Sequence, residues 1–216
     1  MREETIIKIT ESKVITIVRG LEEQYLIPLA ESLYQGGIRL IEITFDQKSP
    51  DSWKDTCNGI KELSKRFNGN ITVGAGTALT KNQVNIATEA GAKYIISPDA
   101  NPEIIEYARK VGVVSPPGCM TPTEITSAIN AGADMIKLFP AATLGANYVK
   151  AIKAPLSHIK MLAVGGVNTV NASDFIKAGC IGIGVGGNLV NLELIKNKDF
   201  NKITEAAKEY TKAVQI

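Results

Sequence analysis

The chain has 216 residues, of which 44% are hydrophobic and 21% charged, so it can bury one sizeable hydrophobic core. Its 24 basic and 22 acidic residues give a formal net charge of +2, and this balance, without basic clusters, argues against a nucleic-acid partner. The three cysteines show no CxxC spacing, which argues against a disulfide framework or a zinc ribbon and fits a reducing compartment.

The N-terminal segment MREETIIKIT does not have the pattern of a signal peptide. It carries acidic residues where a basic region followed by an apolar region would be expected. The longest charge-free stretch, residues 178–192, is short and contains five glycines, so it does not predict a membrane span. We therefore expect a cytoplasmic protein that does not enter a membrane.

Short runs of β-branched and apolar residues recur along the chain, and helical patterns follow them. The predicted strands are Val14–Val18, Leu40–Thr44, Ile71–Val73, Tyr94–Ile96, Val113–Val114, Met135–Phe139, Met161–Val164 and Ile181–Val185. The predicted helices cover about 22–35 and 50–67, or begin near Thr80, Pro102, Thr121 and Thr204.

Three of the helix-to-strand connections share the dipeptide Ala-Gly directly before the strand. Their glycines are Gly91, Gly132 and Gly179. A glycine at this point can adopt the left-handed conformation that closes a helix and turns the chain back. The repeated joint therefore indicates a repeated strand–helix unit.

Eight strand–helix units with continuously apolar strands predict a parallel sheet that is covered on both faces. Closing eight such units gives a (β/α)₈ TIM barrel, and because no linker or composition break divides the chain we expect one domain over residues 1–216. The alternative is an open doubly wound sheet. The segment VGAGTALT matches its dinucleotide fingerprint at Gly74 and Gly76, but Leu79 stands where the third glycine belongs.

Lys137 lies in the middle of the apolar strand Met135–Phe139. A desolvated ammonium under the covering helices is costly, so we expect the side chain in the barrel interior near the carboxyl end of the strand. An ordinary lysine has a pKa of about 10.4, so roughly one in 2,500 is neutral at pH 7. The residue is therefore either half of a structural ion pair or an amine whose pKa is lowered so that it can attack a carbonyl.

Glu42 stands in the same unusual situation between Ile41 and Ile43. Since the strands of a parallel sheet are buried on both faces, an exposed glutamate is not expected there. A lysine and a carboxylate in one interior are a minimal set of groups for imine chemistry, namely an amine that bonds to the carbonyl and a group that moves protons.

Paired glycines follow the last two strands, in AVGGVN and GVGGNL. In barrels of this class the loops after the seventh and eighth strands commonly bind a phosphate through backbone N–H groups. The alternative is that these are ordinary turn glycines. With Lys137, the pairs predict a carbonyl compound that carries a phosphate at its far end.

These segments resemble the KDPG/KHG aldolase family, the 2-keto-3-deoxy-6-phosphogluconate and 4-hydroxy-2-oxoglutarate aldolases. The resemblance runs through nearly the whole chain and is carried by IEIT, VGAGT, YIISP, PPGCMTPTE, IKLFPA and AVGGV. It implies a homotrimer of (β/α)₈ barrels that needs no metal or cofactor. The implied reaction is cleavage of 2-keto-3-deoxy-6-phosphogluconate to pyruvate and glyceraldehyde 3-phosphate, and of 4-hydroxy-2-oxoglutarate to pyruvate and glyoxylate.

The resemblance also implies a role for individual residues. Lys137 would form the imine with the keto acid, Glu42 would move protons, and Thr77 would hydrogen-bond the substrate carboxylate. The other implied substrate-binding residues are Pro98 and Phe139, with Gly165, Gly166, Gly187 and Asn188 at the phosphate.

One position departs from the family. The best-known members have an arginine four residues after the glutamate to pair with the substrate carboxylate, whereas this chain has Asp46. Arg19, in ITIVRG, is the candidate replacement, since the phosphogalactonate branch is similar there and uses an arginine at this point. A phosphogalactonate substrate is therefore open as well. A phosphosugar isomerase that forms no imine and a non-catalytic phosphosugar-binding barrel are also compatible with the sequence.

Overall fold

The computed structural model describes residues 2–216, in which eight strands alternate with helices. The strands are β1 (Val14–Val18), β2 (Leu40–Thr44), β3 (Thr72–Gly76), β4 (Ile95–Ile96), β5 (Gly118–Cys119), β6 (Ile136–Leu138), β7 (Met161–Val164) and β8 (Gly182–Val185). The helices are α1 (Arg2–Ser12), α2 (Glu23–Gln35), α3 (Trp53–Phe67), α4 (Lys81–Glu89), α5 (Pro102–Lys110), α6 (Pro122–Asn130), α7 (Ala141–Leu144), α8 (Ala146–Lys153), α9 (Ala172–Lys177), α10 (Leu192–Lys196) and α11 (Phe200–Ala213).

All the strand pairs are parallel, and the sheet order is β4-β3-β2-β1-β8-β7-β6-β5. Main-chain contacts join its two ends: Tyr94 and Val114 form a parallel bridge, and the Ile95 N–H donates to the Val114 carbonyl at 2.8 Å. The sheet is thereby nearly closed into a barrel. This sequential order differs from that of a doubly wound sheet, so the predicted (β/α)₈ fold is confirmed.

The predicted fifth strand at Val113–Val114 is wrong in position. Val114 makes only the single bridge to Tyr94, and β5 begins at Gly118. Between them lie Pro116 and Pro117, which have no N–H group to donate to a neighbouring strand. The prolines therefore interrupt the ladder, and the regular strand β5, which pairs with β6, begins only after them.

The ends of several other elements also differ from the predictions. The final helix begins at Phe200 instead of near Thr204, and Pro50–Ser52 forms a separate 3₁₀ turn before α3. The helix Arg2–Ser12 was not predicted at all. It packs Ile9 into the cluster that fills the barrel interior, so α1 closes the end of the barrel where the strands begin.

The barrel interior is filled by apolar side chains from several strands and the residues next to them. Ile15, Leu40, Tyr94 and Leu162 belong to this cluster, and all are at most 1% exposed. A separate, larger cluster lies between the strands and the surrounding helices. With the lower interior filled, the open end of the barrel is the one where the strands finish.

The predicted glycine joints are present, and the helices predicted near Thr80 and Thr121 begin with caps. Gly91, Gly132 and Gly179 have φ values of 110°, 102° and 105°, in the left-handed region that favours glycine. Thr80 and Thr121 each form a complete capping box with the residue three positions on. Within residues 2–216, no helix has the length and apolar character needed to cross a membrane.

Candidate active site

A cleft of about 520 Å³ opens at the carboxyl ends of the strands. All ten site residues named from the sequence line this one cleft: Arg19, Glu42, Thr77, Pro98, Lys137, Phe139, Gly165, Gly166, Gly187 and Asn188. They come from the strands, or from the loops directly after them, at positions spread over most of the chain. Only closure of the barrel brings together residues so far apart in the sequence.

Lys137 is the central residue of β6, where it pairs with Gly118 on one side and Leu162 on the other. It is only 7% exposed, and its Nζ lies 4.9 Å from the centre of the Phe139 ring. Burial lowers the pKa of the amine, Glu42 opposes that shift, and the positive charge of Arg19 adds to it. The amine is therefore more often neutral than that of an exposed lysine.

Glu42 enters the same cleft from β2 and is 2% exposed. Burial raises the pKa of its carboxyl group, and the positive charges of Lys137 and Arg19 act in the opposite direction. Its Oε2 atom has no hydrogen-bond partner among the described residues. The pKa of the carboxyl group is thus shifted toward neutral pH, and one of its oxygens is buried without a hydrogen-bond donor from the described residues.

Arg19 and Thr77 lie side by side in the cleft. The Arg19 Nη2 donates to Thr77 Oγ1 at 3.4 Å, and Arg19 follows directly after β1. Asp46, in contrast, does not line this cleft but a separate cavity bounded by α2 and α3. The fold therefore brings the candidate replacement Arg19, and not Asp46, to the side of the cleft where Thr77 lies.

The two double-glycine loops form another wall of the cleft. Gly165 and Gly166 have φ values of 94° and 74°, which only glycine adopts readily. The Asn188 side-chain amide donates to the Val167 carbonyl at 3.0 Å and so ties the loop after β8 to the loop after β7. A Cβ at Gly187 would meet nothing within 4 Å, so this backbone is open to a ligand.

Some of the residues in and around the cleft were not predicted from the sequence. Ile17, Val164 and Val167 supply apolar lining, and the period-two alternation of β1 and β7 could have indicated the first two. Gln47 was missed as well: its Nε2 donates to the Thr77 carbonyl at 2.6 Å, and no sequence signal marks it. In the part of the chain from residue 2 onwards, no three His, Cys, Asp or Glu side chains are grouped to hold a metal ion.

The sequence matches known proteins over nearly its whole length. The family described as KDPG and KHG aldolase matches residues 5–206. The chain is 32% identical to a 2-dehydro-3-deoxy-6-phosphogalactonate aldolase of Escherichia coli (strain K12), with 95% of this chain and 98% of that protein aligned. It is 27% identical to a KHG/KDPG aldolase of the same strain, with 96% and 95% aligned.

A solved structure shows the same fold. The crystal structure of a KDPG aldolase from Legionella pneumophila, with pyruvate captured as a covalent carbinolamine intermediate, superposes with a TM-score of 0.84. It is 28% identical, and the alignment covers 94% of this chain and 95% of that one.

Proposed function

The chain belongs to the KDPG and KHG aldolase family of class I, metal-independent lyases, and on that premise we propose that it cleaves a 2-keto-3-deoxy-6-phospho sugar acid into pyruvate and glyceraldehyde 3-phosphate. The observation that carries the proposal is the Lys137 amine, which is buried, has a lowered pKa and lines the same cleft as Glu42. A fully charged ammonium has no lone pair, so a lowered pKa is what an amine nucleophile needs.

The reaction runs through an imine. The neutral Lys137 amine adds to C2 of the keto acid, and the carbinolamine loses water to give the protonated imine. The C3–C4 bond then breaks. Its electron pair moves toward the imine nitrogen to form an enamine, while the C4 hydroxyl loses its proton and becomes the aldehyde of glyceraldehyde 3-phosphate. Protonation at C3 and hydrolysis of the imine release pyruvate and return the free amine.

Glu42 moves the protons in this scheme. Its raised pKa brings it closer to neutral pH than an exposed glutamate, and a general acid–base works best when its pKa is near the working pH. The carboxylate takes the C4 hydroxyl proton through a water molecule. In imine formation the protonated carboxyl group gives its proton to the departing carbinolamine hydroxyl, which leaves as water. The carboxylate formed in this way is then ready to accept the C4 hydroxyl proton, so one carboxyl group serves both steps.

Arg19 and Thr77 bind the carboxylate of the keto acid. The guanidinium can offer two parallel N–H donors to a carboxylate, and the Thr77 hydroxyl adds a third contact from the same side. At the other end of the substrate, backbone N–H groups around Gly165, Gly166 and Gly187 and the Asn188 amide receive the phosphate. Pro98 and Phe139 complete the walls between these ends.

The sequence resemblance implies the gluconate-derived substrate, with the galactonate-derived one as the alternative. Two observations now favour the galactonate-derived epimer. Identity is higher to the phosphogalactonate aldolase than to the KHG/KDPG aldolase of the same strain, and Arg19 rather than Asp46 lines the cleft. Cleavage of 4-hydroxy-2-oxoglutarate is a further proposed activity, because its keto-acid end is the same.

The resemblance also implies a homotrimer in the cytoplasm. Light scattering of the purified protein tests the trimer, which predicts three times the chain mass of 23.1 kDa. A monomeric mass with full activity would show that trimer formation is not needed for the reaction.

Borohydride reduction in the presence of pyruvate tests the imine. We expect one pyruvate per chain on the peptide that contains Lys137, and none in Lys137→Met. Lys153→Met is the matched control, because Lys153 is a half-buried lysine that bonds the Ser157 and Ile159 carbonyls away from the cleft. If pyruvate is not trapped on Lys137, the class I mechanism does not hold for this chain.

The same preparation distinguishes an aldolase from an isomerase or a binding protein. An isomerase or a binding protein would bind a phosphorylated sugar acid without releasing pyruvate in an assay coupled to lactate dehydrogenase. An aldolase releases it, and the ratio of kcat/KM on the two epimers then decides between the gluconate- and galactonate-derived substrates.

A further inference from the structure

Thr77 has a left-handed backbone conformation, with a φ of 56°, although it is not a glycine. A β-branched residue is rarely found there, because its side chain crowds the backbone. Such a conformation persists only where surrounding contacts determine it, and it is typical of functional sites. The conformation of Thr77 decides where its hydroxyl points, and that hydroxyl accepts a hydrogen bond from Arg19.

Gln47, in the loop after β2, makes a side-chain hydrogen bond to the Thr77 backbone. The Gln47 Nε2 donates to the Thr77 carbonyl at 2.6 Å. Gln47 itself is exposed, so this hydrogen bond is not needed to bury the side chain. An exposed, flexible side chain loses conformational entropy when it is held in one position. A second hydrogen bond to Gln47 would offset part of that cost.

Gln83 supplies that second contact. Its side chain is fully buried at 0% exposure, and its Nε2 donates to the Gln47 Oε1 at 3.2 Å. Its own Oε1 accepts from the backbone N–H groups of Leu79 and Thr80, at 2.8 and 3.1 Å. Gln83 is thus held by the capping box at the start of α4, and it donates one side-chain N–H to Gln47.

We propose that Gln83 and Gln47 are positioning residues that orient Thr77 and Arg19 for the carboxylate of the keto acid. The hydrogen bonds run without interruption from the first turn of α4 through the two side-chain amides to the Thr77 carbonyl, and from the Thr77 hydroxyl to Arg19. The inference rests on the proposed function, in which Arg19 and Thr77 bind that carboxylate. It adds two residues that do not themselves touch the substrate.

A side-chain amide suits this position because it donates and accepts at once. Gln47 accepts from Gln83 with one atom and donates to Thr77 with the other. A glutamate has the same shape but, when ionised, can only accept. In Gln47→Glu the carboxylate would therefore face the Thr77 carbonyl with no proton between them.

Steady-state kinetics of Gln47→Glu test the inference. We expect the KM for the keto acid to rise about tenfold, the size of effect that follows from losing one hydrogen bond, with kcat within about twofold because Lys137 and Glu42 are untouched. The melting temperature should stay near that of the parent, since Gln47 is exposed. Gln35→Glu, at the C-terminal end of α2 and also exposed, is the matched control and should leave KM unchanged.

The same substitution in an Arg19→Ala background separates positioning from general loop damage. If Gln47 acts through Thr77 and Arg19, its effect on KM should largely disappear once Arg19 is gone. An unchanged KM in Gln47→Glu, or an equal rise in KM in both backgrounds, overturns the inference. The proposed function still holds in that case if pyruvate is trapped on Lys137. If the parent protein traps no pyruvate, the proposed function fails first and the inference fails with it.

Discussion

A Cβ atom at Gly76 would lie 1.7 Å from the Oε1 atom of Glu42, so the Glu42 carboxyl group occupies the space that any larger residue would take. Glu42 is on β2 and Gly76 ends the neighbouring strand β3. The glycine is therefore what allows a carboxyl group to sit in the barrel wall near Lys137. It also gives a way to displace Glu42 without altering its chemistry.

We expect Gly76→Ala to force Glu42 out of position and to lower kcat by about 10²–10⁴, the range for loss of a general acid–base. The assay is pyruvate release, measured together with the melting temperature, which should fall because the contact is far below van der Waals distance. In Glu42→Ala the space is vacated, so adding Gly76→Ala to that variant should cost little further stability. Full activity in Gly76→Ala would show that the Glu42 carboxyl group is not held by this contact.

Stability should depend on pH through Glu42. Because burial raises the pKa of this carboxyl group above 4.5, the folded protein binds more protons than the unfolded chain between 4.5 and the raised value. The contribution of Glu42 to stability therefore falls as pH rises through that window. Glu42→Gln should be more stable than the parent above the window, and the difference should vanish below about pH 4.

Urea unfolding of both proteins at about pH 7.5 and pH 4 measures this difference. Glu31→Gln serves as the control, since Glu31 pairs with Arg66 at the surface and should show no such gain. A Glu42→Gln variant that is less stable than the parent at the higher pH would mean that the attraction of Lys137 and Arg19 outweighs burial.

Gly187→Ala should weaken phosphate binding selectively. A Cβ at this position meets no protein atom within 4 Å, so the fold should be unaffected. The methyl group would instead occupy space at the proposed phosphate position and raise KM for phosphorylated substrates about tenfold or more. The KM for 4-hydroxy-2-oxoglutarate, which has no phosphate, should change little, and equal losses on both substrates would place the phosphate elsewhere.

Arg19→Ala should raise the KM for keto acids sharply, because a charged two-pronged contact to the carboxylate is lost. Lys137 should remain trappable by borohydride at high pyruvate concentration, since the amine is intact. Arg66→Ala, which removes an exposed arginine paired with Glu31, is the control of equal charge change. An unaltered KM in Arg19→Ala would show that another group binds the carboxylate.

The ionisable pair and the glycines of this site could be predicted from local patterns, whereas the other site residues were implied only by the family resemblance. An ionisable residue inside an apolar barrel strand is expected in the barrel interior near the carboxyl end of the strand, because burial under the helices would be costly. Lys137 and Glu42 are both buried and line the cleft there. The glycines at the helix-to-strand joints and after the last strands could be predicted equally well. A positive φ at one position favours glycine there, so a single residue carries the signal. The predicted strand at Val113–Val114 was wrong in position, because Pro116 and Pro117 interrupt its pairing with the neighbouring strands. The sequence alone does not show where that pairing begins again.

The pattern of residues was enough to predict the eight-unit barrel, the buried pair Lys137 and Glu42 and the paired glycines, because period and burial act over a few positions. The other site residues were implied only by the family resemblance. Only the tertiary structure shows the hydrogen bonds from Gln83 to Gln47 and from Gln47 to Thr77. It also shows that the Glu42 carboxyl group lies next to Gly76. These contacts join separate strand ends and loops that converge when the barrel closes. The pattern of residues within one segment cannot predict these contacts, because the distances between the side chains depend on the packing of the whole chain.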